Sequence, residues 1–258
     1  ERALRRDGVE IVLGARVGRV SRQGEKKVLH LEGGGEPSTI TVDEILVGAG
    51  RAPNIETLDL EAAGVAYEKF GVKVNDHLQT SNPNIYAAGD VCLRYKFTHT
   101  ADASARIALQ NALFFGRKKM SALTIPWCTY TDPEIAHVGL YERDAEERGI
   151  GIDTFTRELS EVDRAIAEGE TEGFVKIHVE KGKDRIVGAT IVAGHAGETI
   201  SEITLAIAGN LGLGTIGQVI HPYPTQAEAI KQVADAYNRS RLTPRLKKWM
   251  TRYFSWRR

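Results

Sequence analysis

Alternating apolar and polar residues predict β-strands over the first 47 residues. Three strand-like runs, EIVLGARV at 10–17, KKVLHLE at 26–32 and STITVDEILV at 38–47, are separated by the turn signals SRQGE and GGGEPS. A charged stretch, ERALRRDG, precedes them and is typical of a helix with Gly8 as its C-terminal cap. These strands would complete a sheet that begins upstream, so we expect the chain to be part of a longer protein.

The next segment combines short extended pieces with an alanine-rich helix. GVKVND at 71–76 alternates, and TSNPNIYAAGDV at 80–91 is typical of an apolar strand that ends in small residues and an aspartate. A helical run follows from about Asp102 to Phe115, and Gly116 closes it.

Beyond Leu123 the pattern predicts antiparallel strands and two amphipathic helices. Residues 174–192 predict a β-hairpin that turns near Gly182. One helix is predicted at 197–211, and a second begins near Thr225. Their apolar faces consist of Ile200, Ile203, Ile207 and Leu211 in the first helix and Ala227, Ile230, Val233, Ala234 and Tyr237 in the second. We therefore predict a domain boundary close to Leu123, with an α+β module after it.

Composition indicates a globular protein without a strong overall charge. Lysine plus arginine and aspartate plus glutamate number 34 each, so no global field attracts nucleic acid or an anionic membrane. The uncharged stretch 203–227 contains glycines and two prolines, so no membrane span is predicted. Cys92 and Cys128 fit neither a CxxC motif nor a zinc pattern, so we predict no metal site and a reduced, cytoplasmic protein.

Two glycine-rich strings are candidates for phosphate binding. GLGTIG at 212–217 matches GxGxxG, but a helix is predicted before it and Pro222 follows closely, whereas a dinucleotide fingerprint lies between a strand and a helix. A helix end with a glycine-rich turn is the preferred interpretation. VGAGRAPN at 47–54 follows a predicted strand, but Pro53 replaces its third glycine and no helical pattern follows.

Five strings in a fixed order resemble motifs of one family. They are LVGAGRAPN, TSNPNIYAAGDV, IPWCTYTDPEIAHVGL, the hairpin ending in IVGATIVAGHAGE, and HPYPTQAE. Each resembles a motif of the flavin-dependent pyridine nucleotide-disulphide oxidoreductases, which include glutathione reductase, dihydrolipoamide dehydrogenase and mercuric reductase. The resemblance covers about Gly8 to Pro244, and in character it is closest to the mercuric reductase and dihydrolipoamide dehydrogenase-like members.

This resemblance implies the C-terminal half of such an enzyme, with an α/β part followed by an α+β part. Residues 1–46 would end the NAD(P)-binding domain, 47–122 would be the second segment of the FAD-binding domain, and 123–244 would be an interface domain with an antiparallel sheet and helices. A basic aromatic tail, 245–258, follows. FAD and NAD(P)H are the implied cofactors, and their fingerprints and the redox cysteine pair would lie upstream of this chain.

Asp90 is the strongest candidate for contact with a flavin. A ribityl chain offers hydroxyl donors, and a carboxylate is a strong acceptor for them. Ala87, Ala88 and Gly89 are small enough to let a cofactor approach the backbone. The alternative is that Asp90 only terminates a strand.

Further cofactor-binding candidates rest on the resemblance alone. Gly50 and Arg51 belong to the LVGAGRAPN motif. Phe97, Thr98 and His99 precede the predicted helix, whose positive N-terminal end would stabilise negative charge on a reduced flavin. For His99, a structural or surface role is the alternative.

HPYPTQAE at 221–228 is the candidate catalytic stretch. Thr225 and Glu228 form a T-x-x-E pattern, which predicts a capping box for the following helix. The resemblance implies an acid/base histidine directly before the Pro-Thr and a glutamate five residues later, serving the dithiol of the opposite subunit. In that register Tyr223 takes the histidine's place, Glu228 is the glutamate, and His221 is two residues too early.

A phenol is a poor base at neutral pH but can donate a hydrogen bond to a thiolate. Mercuric reductases resemble this sequence in having a tyrosine here, although they tend to end in a cysteine pair and this chain ends FSWRR. We therefore expect Tyr223 to carry the family function, with His221 as a neighbour or substitute.

Two functions remain open at this stage. In the first, the parent enzyme passes electrons from NAD(P)H through FAD and a dithiol to a disulphide or a thiol-bound metal. In the second, this chain is a dimerisation module without activity of its own. Both imply a homodimer through residues 123–244 and no nucleic-acid or membrane partner. The tail could contact anionic lipid or nucleic acid, but helical spacing favours packing of Leu246, Trp249, Met250 and Tyr253 against the protein itself.

Overall fold

The computed structural model describes residues 1–33 and 38–257, which divide into two compact units between Asn54 and Ile55. The first unit contains a short helix and a three-stranded antiparallel sheet in the order β1-β2-β3. Val28 and Leu31 of the central strand are buried. Its elements are α1 (Arg2–Arg6), β1 (Arg16–Gln23), β2 (Lys26–Glu32) and β3 (Ser38–Val42).

Two strands of the first unit are shorter than the sequence pattern predicts. β1 begins at Arg16 rather than at residue 10, because Gly14 has a φ of 70° and interrupts the extended run. β3 ends at Val42 rather than at residue 47, because Val42 pairs with Lys27 and β2 itself begins at Lys26. The turn predicted at GGGEPS lies mostly at residues 34–37, outside the described part of the chain.

The second unit begins with a segment, residues 55–123, that surrounds two apolar clusters. Leu78, Leu93, Ile107 and Ala108 form one cluster, and Leu60, Val65 and Val72 form the other. Its elements are β4 (Tyr67–Glu68), β5 (Gly71–Val72), a 3-10 turn (Gly89–Val91) and α2 (Thr98–Leu113). The predicted helix is therefore present, beginning earlier than Asp102 and ending before Phe115.

The strand predicted at residues 80–91 is wrong. The Thr80 N–H donates to the Ile85 carbonyl at 2.9 Å and closes a turn around Pro83. Asn82 stabilises the same turn, since its side chain accepts from the Asn84 N–H at 3.1 Å. Gln79 and Tyr86 form an isolated bridge. Turn-forming residues therefore outweigh the apolar character of the segment.

The rest of the second unit is built on a five-stranded antiparallel sheet in the order β6-β7-β10-β9-β8. The predicted hairpin is confirmed: β9 and β10 pair, and Gly182 has a φ of 76° at the turn. The elements are β6 (Pro126–Thr129), β7 (Glu134–Gly139), α3 (Glu142–Glu147), β8 (Ile152–Glu158), α4 (Asp163–Glu168), β9 (Phe174–Glu180), β10 (Ile186–Ala193), α5 (Ala196–Ala208), α6 (Leu213–Ile216), α7 (Glu228–Ser240) and α8 (Pro244–Arg257).

The core of this part lies between one face of the sheet and two helices. α5 packs on β6, β7 and β10, and α7 packs on β8 and β9. Fully buried side chains from both layers meet there, namely Ile177 and Ile191 from the sheet and Ile203, Leu213 and Ile230 from the helices. Most of the predicted apolar faces of the two long helices therefore fill the core. Leu211 is an exception, because α5 ends at Ala208 and leaves Leu211 exposed.

The GLGTIG string forms α6, which follows a helix and an isolated bridge rather than a strand. A Cβ atom on Gly212 would lie 2.2 Å from Asp184 Oδ2, and one on Gly217 would lie 2.7 Å from Asn238 Nδ2. These glycines permit close packing against the β9–β10 turn and α7. The context of a dinucleotide fingerprint is therefore missing from this stretch, as the sequence pattern predicts.

Two buried histidines lie on the sheet face opposite the core. His137 Nδ1 lies 2.9 Å from Thr190 Oγ1, and its ring stacks on Tyr141 at a centroid distance of 3.6 Å. His178 Nδ1 lies 2.9 Å from Thr154 Oγ1. Burial is the largest cause that lowers the pKa of both imidazoles below the ordinary value of 6.5.

We expect acid to destabilise the protein through these two side chains. A histidine whose folded pKa is lowered contributes stability above its unfolded pKa, and that contribution is lost as pH falls below about 6.5. Urea denaturation between about pH 8 and pH 5 should show this loss.

The double variant His137→Asn/His178→Asn should flatten the dependence of the unfolding free energy on pH. His195→Asn is the control, since His195 is exposed and has a left-handed backbone that asparagine tolerates. An unchanged dependence in the double variant would contradict the assignment.

The basic tail forms α8, as its helical spacing predicts, but the described part of this chain does not cover its apolar face. No residue of α8 is buried, and Trp249 and Trp256 are 63% and 82% exposed. Helical spacing creates an apolar face but does not determine what covers it. Among the described residues, no helix is both long and apolar enough to cross a membrane.

Candidate functional site

A tight turn presents Asp90 beside the N-terminal half of α2. Ala88 is extended and leads into the 3-10 turn that contains Asp90. Gly89 has a φ of 74°, and its N–H donates to Ser104 Oγ at 2.9 Å. A Cβ atom on Gly89 would lie 3.1 Å from the Ala101 Cβ. Glycine is therefore suited to this position both by its backbone conformation and by its close approach to α2.

A lysine holds the loop that follows Asp90. Lys96 Nζ donates to the Asp90 carbonyl at 2.6 Å and to the Leu93 carbonyl at 3.3 Å. Asp90 itself is half-buried. The backbone around the carboxylate is thus fixed at two points, which suits a residue that must present an acceptor in one direction.

The N-terminus of α2 has no side-chain cap. Phe97 is the capping residue and makes no cap hydrogen bond, and the first turn contains no acidic residue. Thr98 and His99 are exposed, whereas Thr100 Oγ1 is buried without a hydrogen-bond partner among the described residues. Free N–H groups and the helix dipole at this end favour an acceptor or negative charge nearby.

Aromatic stacking orders the approach to α2. The rings of Phe97 and His99 stack at a centroid distance of 5.3 Å, and Tyr95 stacks on Phe97 at 6.2 Å. His99 Nε2 lies 2.9 Å from the Pro126 carbonyl, which can only accept. This contact favours the structural role for His99 that the sequence left open.

Gly50 and Arg51, the other two candidates for cofactor binding, lie in the first unit. Gly50 has a φ of 96°, a conformation that suits glycine, and both residues are exposed. The strand predicted to lead into this motif is not formed, since β3 ends at Val42. The second unit brings Ala88, Gly89, Asp90, Phe97, Thr98 and His99 together around the start of α2.

Tyr223 lies between α6 and α7 and is 68% exposed. Its hydroxyl donates to Asp163 Oδ2 at 2.8 Å, at the start of α4. This hydrogen bond and the charge of Asp163 raise the pKa of Tyr223 above the ordinary value of 10. The residue is therefore an exposed, neutral phenol at physiological pH.

His221 is held inside the protein. Its Nε2 lies 2.9 Å from Glu202 Oε1 on α5, its Nδ1 lies 3.2 Å from the Val219 carbonyl, and its side chain is 5% exposed. Both ring nitrogens face acceptors of the same chain. Tyr223, rather than His221, is accordingly the side chain of HPYPTQAE that is open to an external group.

The capping box predicted at Thr225 and Glu228 is wrong. Thr225 Oγ1 donates to the Pro222 carbonyl at 2.8 Å, and α7 begins at Glu228 after Ala227, without a side-chain cap. A local turn therefore competes successfully with capping. Glu228 Oε2 is buried and has no hydrogen-bond partner among the described residues. Tyr223 is held by Asp163 instead, a partner that sequence spacing did not reveal.

The two cysteines are not activated thiols. Burial raises the pKa of Cys92 to about 11, and burial and the nearby Glu134 carboxylate raise the pKa of Cys128. Both are therefore protonated at neutral pH and are poor nucleophiles. Within the described residues, no group of three or more His, Cys, Asp or Glu side chains is arranged to hold a metal ion.

Comparison with known proteins finds the same family along both parts of the chain. The model of the pyridine nucleotide-disulphide oxidoreductases matches residues 1–105, and the model of their dimerisation domain matches residues 125–234. A mercuric reductase from Staphylococcus aureus is 37% identical over 240 residues, 93% of this chain and 44% of that protein. A dihydrolipoyl dehydrogenase from Thermus scotoductus is 34% identical over 241 residues, 92% of this chain and 52% of that protein.

Solved structures agree with these matches. LpdA from Mycobacterium tuberculosis superimposes with a TM-score of 0.84 at 26% identity, covering 92% of this chain and 51% of that protein. The HOCl-induced flavoprotein disulfide reductase RclA from Escherichia coli gives a TM-score of 0.80 at 27% identity, covering 90% and 53%. The chain thus spans about half the length of the relatives it matches. By sequence and by fold, it belongs to the pyridine nucleotide-disulphide oxidoreductases.

Proposed function

We propose that this chain is the C-terminal half of a flavoenzyme that passes electrons from NAD(P)H through FAD and a dithiol to a disulphide or a thiol-bound metal. The observation that carries this proposal is the exposed phenol of Tyr223, held neutral by Asp163. A mercuric reductase and a flavoprotein disulfide reductase among the relatives suggest the two acceptor classes. Titrating the NAD(P)H-reduced, full-length enzyme with a disulphide and with dithiol-bound Hg(II) tests it, and failure of both to reoxidise the flavin would refute it.

The residues around α2 fit a flavin. FAD, when bound, would relay electrons from NAD(P)H to the disulphide of the redox cysteine pair, which becomes a dithiol. Gly89 lets the turn pack closely on α2, the half-buried Asp90 offers a carboxylate acceptor, and the start of α2 offers N–H groups to a negatively charged ring. Gly50 and Arg51 are proposed as further cofactor-binding residues on the resemblance of their motif alone. We infer that Asp90 accepts hydrogen bonds from ribityl hydroxyls.

Asp90→Ala in the full-length enzyme should weaken flavin retention. Loss of one hydrogen bond to a charged group is worth about 1.5–3 kcal/mol, which corresponds to about a 10- to 150-fold rise in the FAD dissociation constant. Flavin absorbance after extensive dialysis measures this change. Asp102→Ala is the matched control, because Asp102 lies on α2 but pairs with Arg106. Equal flavin content in all three proteins would remove Asp90 from the site.

Tyr223 is proposed to serve the dithiol of the opposite subunit. Reduction of a disulphide releases a thiolate, and a phenol can donate a hydrogen bond or a proton to that sulfur. In this structure the hydroxyl donates its one hydrogen to Asp163, which raises the pKa of the phenol. When the dithiol of the opposite subunit is present, the hydroxyl would redirect that hydrogen from Asp163 to the sulfur. His221 and Glu228 would support the conformation of this stretch and would not contact the dithiol. His221 is held by Glu202, and Glu228 is half-buried at the start of α7.

The alternative function is a dimerisation module without activity of its own. The complete core between the sheet, α5 and α7 favours a part that folds independently. The chain spans about half the length of these relatives. Whether it binds flavin by itself therefore decides between the two functions. A purified chain that is yellow would retain enough of the site to bind flavin, whereas a colourless dimer would support the module.

A further inference from the structure

Helix α8 (Pro244–Arg257) has an apolar face that the rest of the described chain does not cover. At about 100° per residue, Leu246, Trp249, Met250 and Tyr253 follow one side of the helix. Phe254 and Trp256 flank them, and Trp249 and Tyr253 stack at a centroid distance of 5.7 Å. Tryptophan and tyrosine side chains each combine an apolar ring with a polar edge, which suits a boundary between water and lipid.

The opposite side of α8 is polar, and all of its charges are basic. Lys248 and Arg252 lie there with Thr251 and Ser255, and Arg245 and Lys247 lie at its borders. No aspartate or glutamate occurs between residues 236 and 257, a stretch that contains seven lysines and arginines. Positive charge is therefore not neutralised within the helix, and it is complementary to an anionic surface.

α8 lies outside the matched dimerisation domain in the sequence. The family model of that domain ends at residue 234, within α7, and α8 begins ten residues later at Pro244. Pairing of two α8 helices in a dimer would bring together two helices that have basic but no acidic residues, which raises their mutual repulsion. These observations favour an acidic partner with an apolar interior over a second copy of the helix.

We propose that α8 is a membrane-surface anchor that binds anionic phospholipid. The helix would lie in the plane of the membrane, with its aromatic face at the boundary of headgroups and acyl chains and its basic side chains on lipid phosphates. Fourteen residues extend about 21 Å, less than the roughly 30 Å hydrocarbon core, so α8 lies on the membrane and does not cross it. The expectation of no membrane contact depended on packing that the structure does not contain.

Vesicle flotation of the full-length holoenzyme tests this proposal. We expect binding to vesicles of phosphatidylglycerol and phosphatidylcholine at low salt, at least tenfold weaker binding to phosphatidylcholine alone, and weaker binding at high salt. Trp249→Ser/Tyr253→Ser and Lys247→Glu/Lys248→Glu should each reduce binding at least tenfold. Arg143→Glu/Arg148→Glu, which changes basic surface residues outside α8, is the matched control and should bind as the wild type does.

Tryptophan fluorescence provides a second readout. Insertion should shift the emission of Trp249 and Trp256 to the blue on addition of the anionic vesicles, and the shift should disappear in Trp249→Phe/Trp256→Phe while flotation persists. Three outcomes would overturn the proposal. The first is that the wild type does not float with the vesicles, and the second is that both α8 variants still float. The third is that the protein binds duplex DNA through α8 but does not bind vesicles. Flavin content and circular dichroism of each variant exclude misfolding as the cause.

Discussion

Tyr223→Phe in the full-length enzyme should slow electron transfer to the final acceptor by about 10²-fold, the low end of what a positioned proton donor contributes. Reduction of the flavin by NAD(P)H should be unchanged, because that step does not use the acceptor side of the dithiol. Stopped-flow absorbance separates the two half-reactions. The change removes one hydroxyl from an exposed ring, so the fold should be retained.

Asp163 provides a pH signature for the same assignment. Its hydrogen bond and charge raise the pKa of Tyr223, so the neutral phenol persists to higher pH in the wild type. Acceptor reduction should fall at alkaline pH as the phenol ionises, and in Asp163→Asn this fall should occur at a lower pH. In Tyr223→Phe, which has no phenol, this alkaline fall should be absent. A structural role for Tyr223 would not move the pH profile.

His221→Gln is the variant that decides between the two candidates in HPYPTQAE. Because His221 is buried against Glu202, we expect a change in stability and a small effect on acceptor reduction. If His221→Gln abolished acceptor reduction while Tyr223→Phe left it intact, the histidine would be the catalytic group and the register argument would be wrong.

Local periodicity predicted the parts of the fold that are held by local contacts. The β9–β10 hairpin and the core-facing sides of α5 and α7 follow from residues that are neighbours along the chain. Residues 43–47 have strand-forming character, but β2 offers them no partner, because its first residue is Lys26. Strand pairing depends on a second chain segment, and an isolated apolar pattern does not contain that information.

The candidate site shows the same limit. The sequence motif identified Tyr223 and His221, yet it did not identify what holds them. Asp163 reaches Tyr223 across 60 residues, and Glu202 reaches His221 across 19. The spacing rule favoured Glu228, which lies nearest in sequence. A hydrogen-bond partner brought in by tertiary packing has no periodic signal, and only the structure reveals it.

Breaking the dimer should abolish acceptor reduction while flavin reduction persists. We propose that the dimer forms through residues 123–244, where Ile220 is 92% exposed and Leu205 on α5 is also exposed. Apolar side chains at that exposure are typical of a surface that another subunit covers. Leu205→Asp/Ile220→Asp would place two charges there and should shift the full-length enzyme to a monomer in light scattering at micromolar concentration.

The functional consequence follows from the proposed placement of Tyr223. If the phenol of one subunit serves the dithiol of the other, a monomer has both groups but cannot bring them together. Acceptor reduction should then fall at least as far as in Tyr223→Phe, and adding Tyr223→Phe to the monomeric variant should cause no further loss. A wild-type enzyme that is monomeric at micromolar concentration would contradict the dimer. A monomeric variant with full acceptor reduction would instead show that Tyr223 serves a dithiol of its own subunit, or none.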